Sequence, residues 1–281
     1  MGYEQDAYFC FMNVYRILFN FYIQSSIHVA LAIVSLTLLS GTYLNIRPDF
    51  YLMGFVFTAA ITGYNFVKYA GIAKWYHRRL TNSLKTIQLF SLFAFFAMVF
   101  FFWHLPVSIQ FIAVISGLLT LLYAVPLKRK WKNFRSIPGM KLVLIALVLV
   151  LTTVLMPAFY GETDIESTIL LLCLLRFFWV IVLILPFEIR DMRVDAISLV
   201  TIPQQLGVFK TKLFGSVLLG SLALAEIYFH TLFNNSLWVV FVILFATSLT
   251  LWYSSEKRSF YFTAFWVEAI PIAWLILELV F

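Results

Sequence analysis

Long apolar blocks alternate with short charged clusters along the whole chain. A helix crosses a bilayer with about 20 consecutive, mostly apolar residues. Blocks of that kind run roughly over 17–40, 50–68, 86–104, 106–125, 141–160, 167–187, 211–231, 236–253 and 261–281, which predicts nine transmembrane helices. The narrowest division lies between the third and fourth, where His104-Leu-Pro106 must form a tight turn. No linker or low-complexity stretch interrupts the series. The expectation is an all-α, polytopic membrane protein whose residues 1–281 form one membrane-embedded domain.

Composition sharpens this reading. Hydrophobic residues make up 63% of the chain and charged residues 12%, which is more apolar sequence than a soluble domain uses. The net charge of +7 does not indicate nucleic acid, because the cations sit in loops between apolar blocks. Lys68, Lys74, Arg78, Arg79 and Lys85 follow span two, and Lys128, Arg129, Lys130, Lys132, Arg135 and Lys141 follow span four. Arg190, Arg193, Lys210 and Lys212 follow span six. The opposite connections hold only Arg47, an acidic run over 161–167, and the neutral Asn234-Asn235. Basic loops stay in the cytoplasm, so the N-terminus is expected inside and the C-terminus outside, in the inner (plasma) membrane of a bacterium. The three longest polar loops then share the cytoplasmic face and would cap the bundle there. The acidic start, Met1 to Asp6, lacks the basic region of a signal peptide. Cys10 and Cys173 suggest neither a disulfide framework nor a metal site.

The chemistry concentrates beyond span six, in Glu188-Ile-Arg-Asp-Met-Arg-Val-Asp195. Carboxylates near the membrane are expensive unless they line a polar cavity. On a helix, Asp191 and Asp195 would project from one face. Two hard oxygen ligands a turn apart, beside Arg190 and Arg193, suit Mg²⁺ bridged to a diphosphate. A solvated loop of mixed charge is the alternative. Arg176 in span six and Glu226 in span seven are intramembrane charges that require partners.

Two further runs accompany the acidic pair. Tyr123-Ala-Val-Pro-Leu-Lys128-Arg follows span four, and Thr201-Ile-Pro-Gln-Gln-Leu-Gly207 leads into span seven. With Asp191-x-x-x-Asp195 these residues resemble the UbiA superfamily of intramembrane prenyltransferases, over nearly the whole chain. The resemblance implies nine helices with a cytoplasmic cap, and transfer of an isoprenyl chain from a polyprenyl diphosphate to a lipophilic, aromatic or other, acceptor with Mg²⁺. It implies metal binding by Asp191 and Asp195, and Tyr123 and Lys128 at the diphosphate. Arg16 and Asn20 match the family's Arg and Asn near the start of span one.

The sequence departs from the family after span two, where an Asn-x-x-x-Asp motif is expected. Asn65 is present, but Tyr69 and Ala73 stand at the next positions of the four-residue spacing, and no carboxylate follows through Leu80. Asn65 would join Asp191 and Asp195 at the metal. Lys68 or Lys74 would supply fixed positive charge to the diphosphate, with Arg190, Lys128 and Arg16 as further diphosphate ligands and Glu188 behind them. The alternative function is that of a non-catalytic isoprenoid- or lipid-binding homologue. Membrane lipid and the two substrates are the expected partners.

Overall fold

A computed structural model describes residues 15–75, 82–124, 139–161, 167–192, 201–233 and 235–281. Among these residues every regular element is helical. In chain order they are α1 (Tyr15–Gln24), α2 (Ile27–Tyr43), α3 (Phe50–Trp75), α4 (Asn82–Phe102), α5 (Val107–Ala124), α6 (Met140–Tyr160), α7 (Ser167–Asp191), α8 (Ile202–Phe229), α9 (Leu237–Tyr253) and α10 (Phe262–Val280). Each predicted span falls on one of these helices or on the α1–α2 pair. Seven of the described helices are long and apolar enough to cross a membrane, and the bent α1–α2 pair makes an eighth when taken as one span. Helix α9 is apolar but has only 17 residues. The protein is an integral membrane protein.

The helices pack around a continuous core in which Leu39, Leu52, Ile109, Met156, Val182 and Ile243 are buried. Large apolar residues such as Phe93, Leu224 and Phe245 are instead exposed on the outside. In water that distribution is costly; in lipid it is neutral, because the tails are as apolar as the side chains.

Three boundaries differ from the expected ones, each for a local reason. The first span does not run straight through. Ser26 takes a left-handed backbone conformation, with φ 64°, and the chain bends by 55° between α1 and α2. Helix α7 continues to Asp191, past the predicted end at 187, so Arg190 and Asp191 lie in its last turn. Helix α8 starts at Ile202, nine residues before the predicted 211. The Gln204 side chain turns back to accept the Thr201 backbone N–H at 2.9 Å, half of a capping box. Gly207 then breaks the helix at φ 78°, a conformation that glycine tolerates and most residues do not. The Lys212 ammonium donates to the Trp252 carbonyl at 2.7 Å.

Close packing makes one glycine sensitive. A Cβ at Gly215 of α8 would lie 2.5 Å from Leu251 Cδ2 and 3.0 Å from Leu185 Cδ1. Both leucines are fully buried. Gly215→Ala is expected to destabilise by about 1–3 kcal/mol, read as a lower melting temperature in detergent. Gly220→Ala, with nothing within 4 Å of the added carbon, is the control that should leave the melting temperature in place.

Candidate active site

The site grows from the break in the first span. Where a helix ends, its last carbonyls lose their intrahelical partners, and in a membrane no bulk water replaces them. Here α3 supplies the donors. The Lys68 ammonium and the Tyr69 hydroxyl both donate to the Gln24 carbonyl, each at 3.0 Å. The Asn65 amide donates to the Ser25 carbonyl at 3.0 Å and to Ser91 Oγ of α4 at 2.8 Å. The Asn65 Oδ1 accepts from Ser26 Oγ at 2.8 Å. Residues 65, 68 and 69 lie on one face of α3, and that face caps α1.

This arrangement revises the expected role of Asn65. It is buried, and both ends of its amide are engaged within the protein. Through these bonds it joins α1–α2, α3 and α4 as a bracket. Tyr69, at the position of the missing carboxylate, completes the same cap.

A cationic cluster lies beside the bracket. Arg190, in the last turn of α7, donates to both oxygens of Asp191, at 2.6 Å from Nε and 2.8 Å from Nη2. Its Nη1 also donates to Thr263 Oγ1 at the start of α10. The guanidinium stands 5.4 Å from the centre of the Phe260 ring, and the Lys68 ammonium 5.7 Å from the centre of the same ring. Two cations from α3 and α7 thus converge on one aromatic ring. Glu188, one turn before Asp191, is buried 3.7 Å from the Lys141 ammonium and ties α7 to the start of α6.

Glu268 of α10 was not singled out in the sequence, although a lone carboxylate within an apolar span is itself a signal. It faces Lys68 and Arg190 electrostatically, and also the phenols of Tyr22 and Tyr64.

An apolar cavity of about 690 Å³ opens beside this cluster. Helices α2 to α6 line it, with Tyr64 and Tyr123 at the end near Lys68 and with Phe55, Phe102 and Met156 at the far end. Tyr64 and Tyr123 both line the cavity, and Val67, the last lining residue of α3, directly precedes Lys68. On α3 the lining runs from Phe55 to Val67, a depth of roughly 18 Å at 1.5 Å per residue. The volume falls within the range of ligand sites, about 300–1,000 Å³.

Lys68 and Arg190 meet at the Phe260 ring, Asp191 pairs with Arg190, and Tyr123 lines the cavity. Arg16 lies exposed on α1, and Asn20 accepts a hydrogen bond from the Tyr261 hydroxyl. Lys128, Arg193 and Asp195 lie outside the described residues, as does the side chain of Lys74. Among the described residues no three His, Cys, Asp or Glu side chains stand close enough to hold a metal ion.

No family model and no curated protein matches the sequence. Among solved structures, a UbiA homologue from Archaeoglobus fulgidus bound to DMAPP and Mg²⁺ matches 93% of this chain and 98% of its own, with a TM-score of 0.60 at 11% identity. This chain has the UbiA fold. The same homologue bound to GPP and Mg²⁺ matches 92% of this chain and 98% of its own, with a TM-score of 0.58 at 11% identity. A digeranylgeranylglyceryl phosphate synthase matches 95% of this chain and all of its own, with a TM-score of 0.54 at 15% identity. These likenesses span nearly the whole of the UbiA-like bundle, so the fold extends beyond the local motifs.

Proposed function

We propose that this chain binds a polyprenyl diphosphate and transfers its isoprenyl chain to a lipophilic acceptor. The supporting observation is that a deep apolar cavity, lined as far as Val67, ends next to Lys68, which converges with Arg190 on the Phe260 ring. A molecule that fills both has a long hydrocarbon tail and a compact anionic head. The similar structures carry DMAPP or GPP with Mg²⁺, which is ligand chemistry of that kind.

Each group then has a task. Lys68 and Arg190 hold diphosphate oxygens, and Arg190 exchanges its neighbour Asp191 for them, since a guanidinium fits either anion in the same bidentate manner. Glu268 keeps both cations oriented while the head group is away. Tyr64 and Tyr123 present aromatic faces where the allylic carbon lies, and such faces favour a cation without capturing it. The apolar walls exclude water that would hydrolyse the cation. Asp191, once free of Arg190, and Asp195 suit one Mg²⁺, which commonly uses one or two carboxylates besides phosphate oxygens and water. When bound, the metal would neutralise charge on the departing diphosphate. By the positive-inside rule this mouth faces the cytoplasm.

One observation favours the alternative, a homologue that binds an isoprenoid without reacting it. Asn65 and Tyr69 are committed to capping α1, leaving the second motif as the source of metal ligands. Thermal stability of the purified protein decides between them. It is measured with pyrophosphate and with prenyl diphosphates of several lengths, with and without Mg²⁺, for the parent chain and Asp191→Ala. A ligand at a hundred times its Kd should stabilise by about 2.7 kcal/mol. The expected result is a Mg²⁺-dependent stabilisation that Asp191→Ala removes, followed by product formation with an acceptor panel. Stabilisation by the prenyl chain alone, indifferent to Mg²⁺ and to Asp191, would establish the binding homologue instead.

A further inference from the structure

The end of the bundle remote from the charged mouth holds a second polar assembly, which contains the two intramembrane charges left without partners above. Arg176 of α7 is buried and donates to the Leu36 carbonyl of α2 at 3.2 Å and to Ser40 Oγ at 3.3 Å. Its guanidinium lies 5.7 Å from the centre of the Trp274 ring of α10. Glu226 of α8 is buried as well and accepts from the Asn235 amide at 3.4 Å. Both residues line one small cavity of about 20 Å³, together with Tyr43 and Trp274.

Two features show that this cavity is built for an occupant. Arg176 and Glu226 interact electrostatically but do not form a direct ion pair. In addition, Trp274 is 5% exposed, and its Nε1 has no hydrogen-bond partner. A buried polar atom left unmatched costs about 1–3 kcal/mol. Opposite charges across a gap, with an unmatched donor on its wall, point to a bridging group.

We propose that this cavity is a binding site for one water molecule, which completes a buried Arg176–Glu226 ion pair. The size fits, since a single water needs about 10–15 Å³ of such space and 2–4 polar partners. The polar partners suffice too: a water there accepts from Arg176 and from Trp274 Nε1 and donates to Glu226. A chloride ion would lie against the Glu226 carboxylate. A sodium ion would lie against the guanidinium and leave the Trp274 N–H unmatched. The water joins α7, α8 and α10, and it is independent of whether the mouth binds a diphosphate.

A density map that resolves ordered water tests the proposal. A peak within hydrogen-bond distance of Trp274 Nε1 and Glu226 is expected, and Trp274→Phe should lose it. A direct Arg176–Glu226 contact, or a peak that disappears or changes height when sodium or chloride is replaced, overturns the proposal. In solution, Arg176→Met and Glu226→Met should each lower the melting temperature, and the double variant should lose less than the sum of the two. Additive losses would show that no shared group couples the charges. If either single variant fails to fold, Trp274→Phe replaces it in the cycle, with the same reading.

Discussion

Gly117→Phe should fold, bind pyrophosphate as the parent chain does, and bind long-chain prenyl diphosphates about a thousandfold more weakly. Gly117 of α5 lines the large cavity, and nothing lies within 4 Å of the carbon that a side chain would add. A phenyl group there enters open space between α4 and α5 instead of a packed core, so the apo fold has little reason to object. It displaces roughly one isoprenyl unit of the proposed chain. At about 0.8 kcal/mol per buried CH₂, five carbons correspond to about 4 kcal/mol, close to three powers of ten in affinity. Titration calorimetry with pyrophosphate and with two prenyl lengths separates the terms. Undiminished binding of the longest chain would mean that the tail lies elsewhere. Weakened pyrophosphate binding would mean that the substitution disturbed the charged mouth.

Asn65→Leu should destabilise the apo protein by about 3–5 kcal/mol, since it strands the Ser25 carbonyl and the Ser26 hydroxyl at about 1–3 kcal/mol each and removes the bond to Ser91. Ser91 itself keeps its hydrogen bond to the Ile87 carbonyl, which limits the damage to α4. The same variant discriminates bracket from metal ligand. A bracket lowers the melting temperature without any metal or ligand present, and it raises the accessibility of a cysteine placed on α1. A metal ligand leaves the apo melting temperature alone and alters only its dependence on Mg²⁺. The bracket outcome is expected.

Much of the bundle is legible from hydropathy, because a lipid-spanning helix needs an uninterrupted apolar run, and among the described residues seven of the nine expected spans provide one. The break at Ser25-Ser26 is not. Both serines sit inside an apolar block, and the hydrogen bonds that make the break affordable come from Asn65, Lys68 and Tyr69, forty or so residues away. A window average sees neither fact. In the second motif Arg190 pairs with Asp191 in the last turn of α7; Asp195 lies outside the described residues. The first motif was read as a damaged metal site. Its residues bond two backbone carbonyls, of Gln24 and Ser25, and two serine hydroxyls, partners that the local sequence does not announce. Glu268 escaped notice because it is isolated in sequence, and its neighbours Lys68 and Arg190 arrive from other helices.

The cap on α1 also constrains how this chain can change. An acidic residue at position 69 would remove the hydroxyl that donates to the Gln24 carbonyl and set a carboxylate against that oxygen. Lys68 would be drawn toward the new charge and away from the same carbonyl. Rebuilding the missing half of the motif is therefore not a single step. The first helix must first gain another way to end, such as a straight passage through residues 25 and 26, before a carboxylate becomes tolerable. Tyr69 and the bend are mutually entrenched, and a library that varies positions 25, 26 and 69 together should yield stable acidic variants that a scan of position 69 alone does not.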